Sequence, residues 1–375
     1  MFKAEKSALM AALALTSNVV EKRNTIPILQ NVLIEAGPTP GTLSARLSNL
    51  DIEASTPFRA DVDINFTAFT VPAGMLTDIV RKLPDGCDVT VKRKDAQASS
   101  ISIEAGRSRF SLQVLPATDF PEMKVPSGFQ HQVTVPSADF AAAITACGFA
   151  VSTEETRHYL NGIFLHPTSA DADEQGLVLV ATDGHRLSKR LVAAATTPDM
   201  ASVIIPRQAL KVIEKILPKT GEIKIEFSDT LIRFSGGSSL ITSKLVDGVF
   251  PDYARIVPSG HEMQATIASA ALSAAIDRVA TISGERGRAV SFSFAGGQLH
   301  LEVNNPDAGT ATDTLSYTGE AELQIGFNAK YVNDVLAHLP GEQLTIELAD
   351  SGSPAVLRSV GGNPENLILL MPMRV

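Results

Sequence analysis

Ser7-Ala8-Leu9-Met10-Ala11-Ala12-Leu13, Ser137-Ala138-Asp139-Phe140-Ala141-Ala142-Ala143-Ile144 and Ser269-Ala270-Ala271-Leu272-Ser273-Ala274-Ala275-Ile276 open three similar stretches of this chain. Each sets a small residue, read as an N-cap, ahead of an apolar face of helical period. The third is the cleanest: Leu272, Ala275, Ile276, Val279 and Ala280 follow the i, i+3, i+4, i+7, i+8 spacing. A second helix is predicted later in each stretch, over 72–84, 206–218 and 328–340, and each stops at a leucine followed by a proline. Two of these open on Pro72 and Pro206, residues suited to a first helical turn. Strands of period two follow at 89–92, 223–227 and 344–348, and others at 163–166 and 299–303 follow the first helices. Helix, strands, helix, strands therefore recurs three times, at a spacing of about 120–135 residues. The fold class is α+β, with three tandem similar domains, each carrying two helices on antiparallel sheets. Their expected bounds are 1–128, 129–258 and 259–375, with breaks in the Pro/Gly-containing stretches 124–128 and 257–261. Such an array suits a curved or closed surface around something long.

Composition narrows the function classes. Of 375 residues, 44% are hydrophobic and 19% charged, enough apolar material for a core in each domain and against disorder. Aromatics are 5% with no Trp, which argues against a stacking platform for single-stranded nucleic acid. The net charge of −9 argues against strong nucleic-acid binding by charge alone, though local basic patches can sit on an acidic protein. Two cysteines, Cys87 and Cys147, frame no disulfide scaffold and point to a reducing compartment. The start of the chain carries no cleavage pattern, and its apolar run 8–15 is too short to span a bilayer. A cytoplasmic protein with no membrane association is expected.

No Walker loop, nucleophile elbow or dinucleotide fingerprint is present, and His and Cys show no metal-ligand spacing, so no cofactor is expected. The most enzyme-like string is Ala181-Thr182-Asp183-Gly184-His185-Arg186-Leu187. Asp183 and His185 could form an acid–base pair. The plainer reading is a hairpin turn between strands, since Asp-Gly is a favoured turn dipeptide. Arg81, Lys82, Lys211, Lys215, Arg278 and Lys330 lie on the repeated helices, where similar faces would sum into one positive lining. The end of the chain, Leu367-Ile368-Leu369-Leu370-Met371-Pro372-Met373-Arg374-Val375, is unusually apolar. A buried strand explains Leu367 to Leu370; Met371 and Met373 suit an adaptable binding surface.

The chain resembles the bacterial sliding clamps, the beta subunits of DNA polymerase III. The resemblance is carried by Thr25-Ile26-Pro27-Ile28-Leu29 with Asn31, Gly106-Arg107-Ser108-Arg109-Phe110-Ser111-Leu112, Tyr159-Leu160-Asn161-Gly162 and the 181–187 string. It continues through Ser243-Lys244-Leu245-Val246-Asp247-Gly248, Phe250-Pro251-Asp252-Tyr253, Asn304-Asn305-Pro306, Gly326-Phe327-Asn328 and Met371-Pro372-Met373-Arg374. These strings span nearly the whole chain in family order.

The resemblance implies three tandem clamp domains forming half of a closed ring, a head-to-tail homodimer that encircles double-stranded DNA without sequence preference. It implies a non-catalytic processivity factor that tethers DNA polymerase subunits, the clamp loader, mismatch-repair proteins and other carriers of the clamp-binding motif. By position it implies a partner-peptide pocket of Leu160, Thr182, Gly184, His185, Arg186, Leu187, Pro251, Arg255, Ile256, Asn328, Tyr331, Met371, Pro372, Met373 and Arg374. DNA contacts map to Arg23, Arg157 and Tyr159, with Arg81, Lys82, Lys211 and Lys215 adding a diffuse field. At the dimer seam the family sets glutamates against arginines like Arg107 and Arg109; here 307–313 holds few acids, so closure is expected to lean on Phe110, Leu112, Leu272 and Ile276. Gly287 and Gly352 predict an open pocket rim. A three-domain peptide-binding scaffold that never encircles DNA is the alternative at this point.

Overall fold

The structure is a computed structural model that describes residues 1–20, 25–95, 98–124, 128–197, 199–237, 239–258, 260–284 and 289–374. The chain forms two compact units, residues 1–138 with 208–245, and residues 139–207 with 246–375. The middle third of the sequence therefore contributes to both.

In the first unit, a five-stranded antiparallel sheet runs in the order Asp61–Val62, Phe2–Glu5, Asp88–Lys92, Ser100–Ala105, Ser108–Gln113. A nine-stranded sheet runs Leu115–Pro116, Phe69–Pro72, Asn31–Ala36, Thr42–Ser48, Ile52–Arg59, Ser239–Lys244, Leu231–Gly236, Glu222–Phe227, His131–Pro136. It spans the first and middle repeats because Ile52–Arg59 pairs with Ser239–Lys244, Ala54 opposite Ile241. The helices are α1 (Lys6–Ala12), α2 (Thr16–Val19) and α3 (Ala73–Lys82). α3 buries Ala73, Leu76, Thr77 and Val80, and Thr77 Oγ1 donates to Thr16 Oγ1 of α2 at 3.2 Å.

The second unit repeats the plan. Helix α4 is Ser137–Gly148, and α5 (Arg207–Ile216) passes into the first unit after its first residue. A nine-stranded sheet runs Val203–Pro206, Gly162–Pro167, Gly176–Thr182, Arg186–Ala193, Leu367–Leu370, Ala355–Ser359, Gln343–Leu348, Met263–Ala268, Thr318–Gly319. Here the middle and last repeats are joined by Arg186–Ala193 pairing with Leu367–Leu370. A four-stranded sheet runs Gly309–Ser316, Gln298–Asn305, Ala289–Ala295, Leu323–Asn328. Helices α6 (Ser269–Ala280) and α7 (Ala329–His338) drive Leu272, Ala275, Ile276, Val279, Val332, Val335 and Leu336 into one core with Phe292, Leu301 and Phe327. No helix among the described residues is long and apolar enough to cross a membrane.

Two local expectations are corrected. Ser7, Ser137 and Ser269 lie inside the first helical turn rather than at the N-cap. These helices leave directly from strands, so the last strand residue, Glu5 or Ala268, takes the cap position with extended geometry and no side-chain cap bond. Likewise Pro72 and Pro206 end strands, pairing with Asn31 and Gly162, and the helices begin one residue later. A strand end is a position where a missing N–H is tolerated.

Candidate functional site

The hairpin Gly176–Thr182 to Arg186–Ala193 turns through Asp183, Gly184 and His185. Gly184 has φ +89°, and a Cβ there would lie 3.1 Å from Arg157 Nη1, so the turn requires glycine. Asp183 Oδ1 accepts from the backbone N–H of His185 at 2.9 Å and of Arg186 at 3.0 Å, and its Oδ2 accepts from Arg186 Nε at 3.1 Å. The carboxylate thus closes the turn, and the His185 ring instead stacks on Tyr331, centroids 5.6 Å apart. Asp183 and His185 form no acid–base pair. Thr182 is buried, donating to Arg186 O at 2.7 Å and accepting from Gly184 N.

Arg186 holds this corner together. Beyond Asp183, its Nη1 donates to Asp334 Oδ2 of α7 at 2.6 Å and its Nη2 to Phe149 O at 2.9 Å. Its guanidinium lies over the Tyr331 and Phe149 rings at 4.7 and 5.0 Å. Asn328 is the N-cap of α7, its Oδ1 accepting from Lys330 N and Tyr331 N, which orients Tyr331. The register Arg186 opposite Leu370 carries the chain end past the hairpin. Met371 N–H donates to His185 O and Met373 N–H to Gly326 O, each at 2.9 Å. The tail is thus held by its backbone, while the Met371 and Met373 side chains stay 40% and 36% exposed. Pro372, Met373 and Arg374 line a groove of about 540 Å³ with Gln324, Ile325, Gly326, Ser351 and Gly352. Gly287 lies outside the described residues.

Leu160 and Leu187 belong to an apolar cluster with Val178, Val180, Leu191, Ile204, Phe250, Val356, Leu367 and Leu369. Tyr253 and Val257 pack on it, which fixes the segment bearing exposed Pro251, Arg255 and Ile256. Arg255 pairs with Asp252 at 2.8 Å, and Ile256 is 49% exposed. Sequence reasoning missed the groups that set this segment: Phe164 stacks on Phe250 at 4.8 Å, and Tyr253 O–H meets His166 Nε2 at 2.9 Å. His166 Nδ1 faces the Pro167 carbonyl at 2.7 Å, so that nitrogen carries the proton and Nε2 accepts from Tyr253. Burial pushes the Tyr253 hydroxyl up to about 12 and holds the His166 imidazole below its usual 6.5. Below pH 6.5 the unfolded chain therefore takes up the His166 proton before the folded one does, and stability falls as pH drops through that window. Melting curves of wild type and His166→Gln should coincide in slope above pH 6.5 and diverge below it, the variant being the flatter; parallel curves would contradict the assignment.

The residues expected at DNA are placed as follows. Arg23 lies outside the described residues. Arg157 is exposed but paired with Glu154 at 3.1 Å, and Tyr159 is half-buried against the Leu160 cluster. Arg81 pairs with Asp78, and Lys215 donates to Asn18 at 2.7 Å. Lys82 and Lys211 are exposed and make no ion pair among the described residues.

At the expected seam, Ser108–Gln113 is an outer strand of its sheet and Gly309–Ser316 an outer strand of another. Phe110 is 37% exposed, Arg107 is exposed, and Arg109 is exposed and 3.9 Å from Glu104. Three seam expectations are corrected. Leu272 and Ile276 are fully buried in the α6 core and Leu112 is 9% exposed, so none offers contact area. The helical period that marked Leu272 and Ile276 reports the core face, not an outer one. Among the nearby acids, Asp313 is taken by Arg278 at 2.7 Å, which holds its carboxyl below the usual range.

Among the described residues no His, Cys, Asp and Glu group is arranged to hold a metal ion, and Cys87 and Cys147 are free thiols. Models of the DNA polymerase III beta subunit match the chain in three blocks: N-terminal domain over residues 1–124, central domain over 134–252 and C-terminal domain over 254–374. The beta sliding clamp of Caulobacter vibrioides (strain NA1000 / CB15N) is 39% identical over 375 residues, covering 99% of each chain. That of Escherichia coli (strain K12) is 33% identical over 379 residues, covering all of both. The crystal structure of the sliding clamp from Bartonella birtlesii bound to griselimycin superposes with a TM-score of 0.92 at 42% identity, over 100% of this chain and 99% of that one.

Proposed function

This chain belongs to the DNA polymerase III beta subunit family, the bacterial sliding clamps, and is a polymerase processivity factor; from that premise we propose that two copies close head to tail into a ring around double-stranded DNA. The observation that carries the proposal is the pair of outer strands, Ser108–Gln113 in one unit and Gly309–Ser316 in the other. Each has a strand neighbour on one side only, and such an edge is a template for strand pairing. One edge of each kind per chain makes the contact heterologous, and two such contacts close. Phe110 is the apolar contact at this edge, and Arg107 and Arg109 flank it.

In this reading the chain is a non-catalytic, cytoplasmic accessory subunit. The apolar floor under Leu160 and Leu187, with His185, Tyr331, Met371 and Met373 beside it, takes the apolar anchors of short linear peptides. Those peptides belong to polymerase subunits, the clamp loader, mismatch-repair proteins and other clamp-binding-motif carriers. The griselimycin-bound relatives from Bartonella birtlesii and Pseudomonas aeruginosa support ligand capture by this fold. Lys82 and Lys211, with Arg81, Lys215, Arg157 and Tyr159, give weak contacts to phosphates, compatible with sliding.

Light scattering at micromolar concentration should report twice the 39.7 kDa chain mass, with weak salt dependence, and Phe110→Asp should halve it while the chain stays folded. Leu272→Ala should act differently, lowering stability by about 2–5 kcal/mol through a core cavity. A wild-type monomer would overturn the head-to-tail assembly.

A further inference from the structure

The strand Arg186–Ala193 sends two arginines to the helix-covered side of its sheet, four residues apart. Ser188 between them marks that side, its Oγ donating to Ala146 O of α4 at 2.7 Å. Arg186 is saturated by two carboxylates, a carbonyl and two rings, as described above. Arg190 is not. It is 6% exposed, and among the described residues its side chain makes one hydrogen bond, Nη2 to His338 O at 3.4 Å, and no ion pair. The Cys147 thiol, electrostatically coupled to it, is pushed up to about 11 by burial and so supplies no negative charge. The carbonyl of His338, at the end of α7, gives only partial counter-charge. Four of its five N–H groups have no protein partner among the described residues, and none of its unbonded nitrogens is sealed from solvent, so they stand open to an incoming acceptor.

Arg190 lines a groove of about 530 Å³ between α4 and the end of α7. Its walls are mainly apolar, with Ala142, Ala143 and Ala146 on one side and Leu191, Leu339 and Pro340 on the other. Asn366 adds an amide NH₂ to the lining, its Oδ1 being held by Leu191 N–H at 2.8 Å. We propose that this groove is an anion site for a small free aliphatic carboxylate, whose charged end meets Arg190 and whose hydrocarbon stem lies along the alanine and leucine walls. The size suits a small molecule. Planar guanidinium matches a carboxylate in a two-bond fork. Asp139 in the lining opposes anions, a multiply charged one most, and beyond Arg190 and the Asn366 amide the largely apolar walls offer few donors to the further oxygens of phosphate. Arg190 is 6% exposed, which favours a slender free ligand over an acidic side chain on a folded partner.

The test uses the full chain and sodium hexanoate as the probe, read by calorimetric titration and by the shift in melting temperature. Wild type should bind hexanoate and melt higher in its presence. Arg190→Met, which keeps length and removes the charge, should bind at least about tenfold more weakly. Ala142→Phe, at an exposed position of the wall, should block the groove to the same extent while leaving Arg190 in place. Inorganic phosphate, an acidic peptide and duplex DNA should neither bind there nor compete. Absence of hexanoate binding in wild type overturns the proposal, as does unchanged binding in Arg190→Met or displacement by phosphate, peptide or DNA. Should Arg190→Met not fold, Ala142→Phe decides: hexanoate binding that survives it overturns the site.

Discussion

Arg186→Ala is expected to lower the unfolding free energy by about 3 kcal/mol, the lower end of the range for removing one partner of a buried ion pair. The guanidinium is 10% exposed and joins Asp183 in the hairpin, Asp334 on α7 and the carbonyl of Phe149. Its loss strands two carboxylates and removes the cation from between two aromatic rings. Asp334 is 34% exposed and can recover some hydration, which is why the lower end applies. Arg186→Lys should recover only part of the loss, because a single ammonium cannot reproduce three directed contacts. Urea denaturation measures both. Because the same residue orients Tyr331 and the turn bearing His185, peptide affinity should fall in both variants even at temperatures where they are folded. A variant with full stability would mean that Asp183 and Asp334 are satisfied without it.

Met371→Ala with Met373→Ala should cost partner-peptide binding about 2 kcal/mol or more, roughly thirtyfold in affinity, with little change in melting temperature. The separation of the two effects rests on how the tail is held. Backbone bonds from Met371 to His185 and from Met373 to Gly326 survive alanine substitution, and the strand Leu367–Leu370 is buried independently of the thioethers. What the alanines remove is exposed, adaptable apolar surface. Deleting 371–375 should add a loss of stability, since both backbone bonds go with it. Calorimetric titration with a clamp-binding peptide, beside a melting curve, reads the two quantities. Unchanged affinity would place the peptide elsewhere, and a collapsed transition in the alanine pair would make these side chains structural.

The repeat was legible because helix period and proline stops are local: α3, α5, α6 and α7 lie within the predicted stretches. The Asp183-Gly184 turn and the Leu367–Leu370 strand were legible for the same reason. The joining of the repeats was not. Ala54 opposite Ile241 and Arg186 opposite Leu370 are pairings between distant strands, and alternation within a strand does not name its partner. The same limit hid the supports of the site. Arg186 meets Asp334 across 148 positions, and His166 meets Tyr253 across 87. The seam shows the reverse error: Leu272 and Ile276 were placed there with the resemblance, against their own helical period, which marks the core. Asn328 was assigned to the pocket by resemblance, and its side chain proves to cap α7, acting on the site through Tyr331.

Retention on DNA tests the account most directly. A chain of net charge −9, with Arg157 and Arg81 already ion-paired, has few cations to spare for phosphates. Contact affinity should therefore be weak and fall further with salt as counterions are released. A closed ring needs no deep energy well, because topology holds it. Loaded onto a closed circular duplex at moderate salt, the protein should persist, and cutting the circle once through both strands should release it as it runs off the ends. Retention that is the same on the circle and on the linearised duplex would mean ordinary contact binding, and would contradict encirclement.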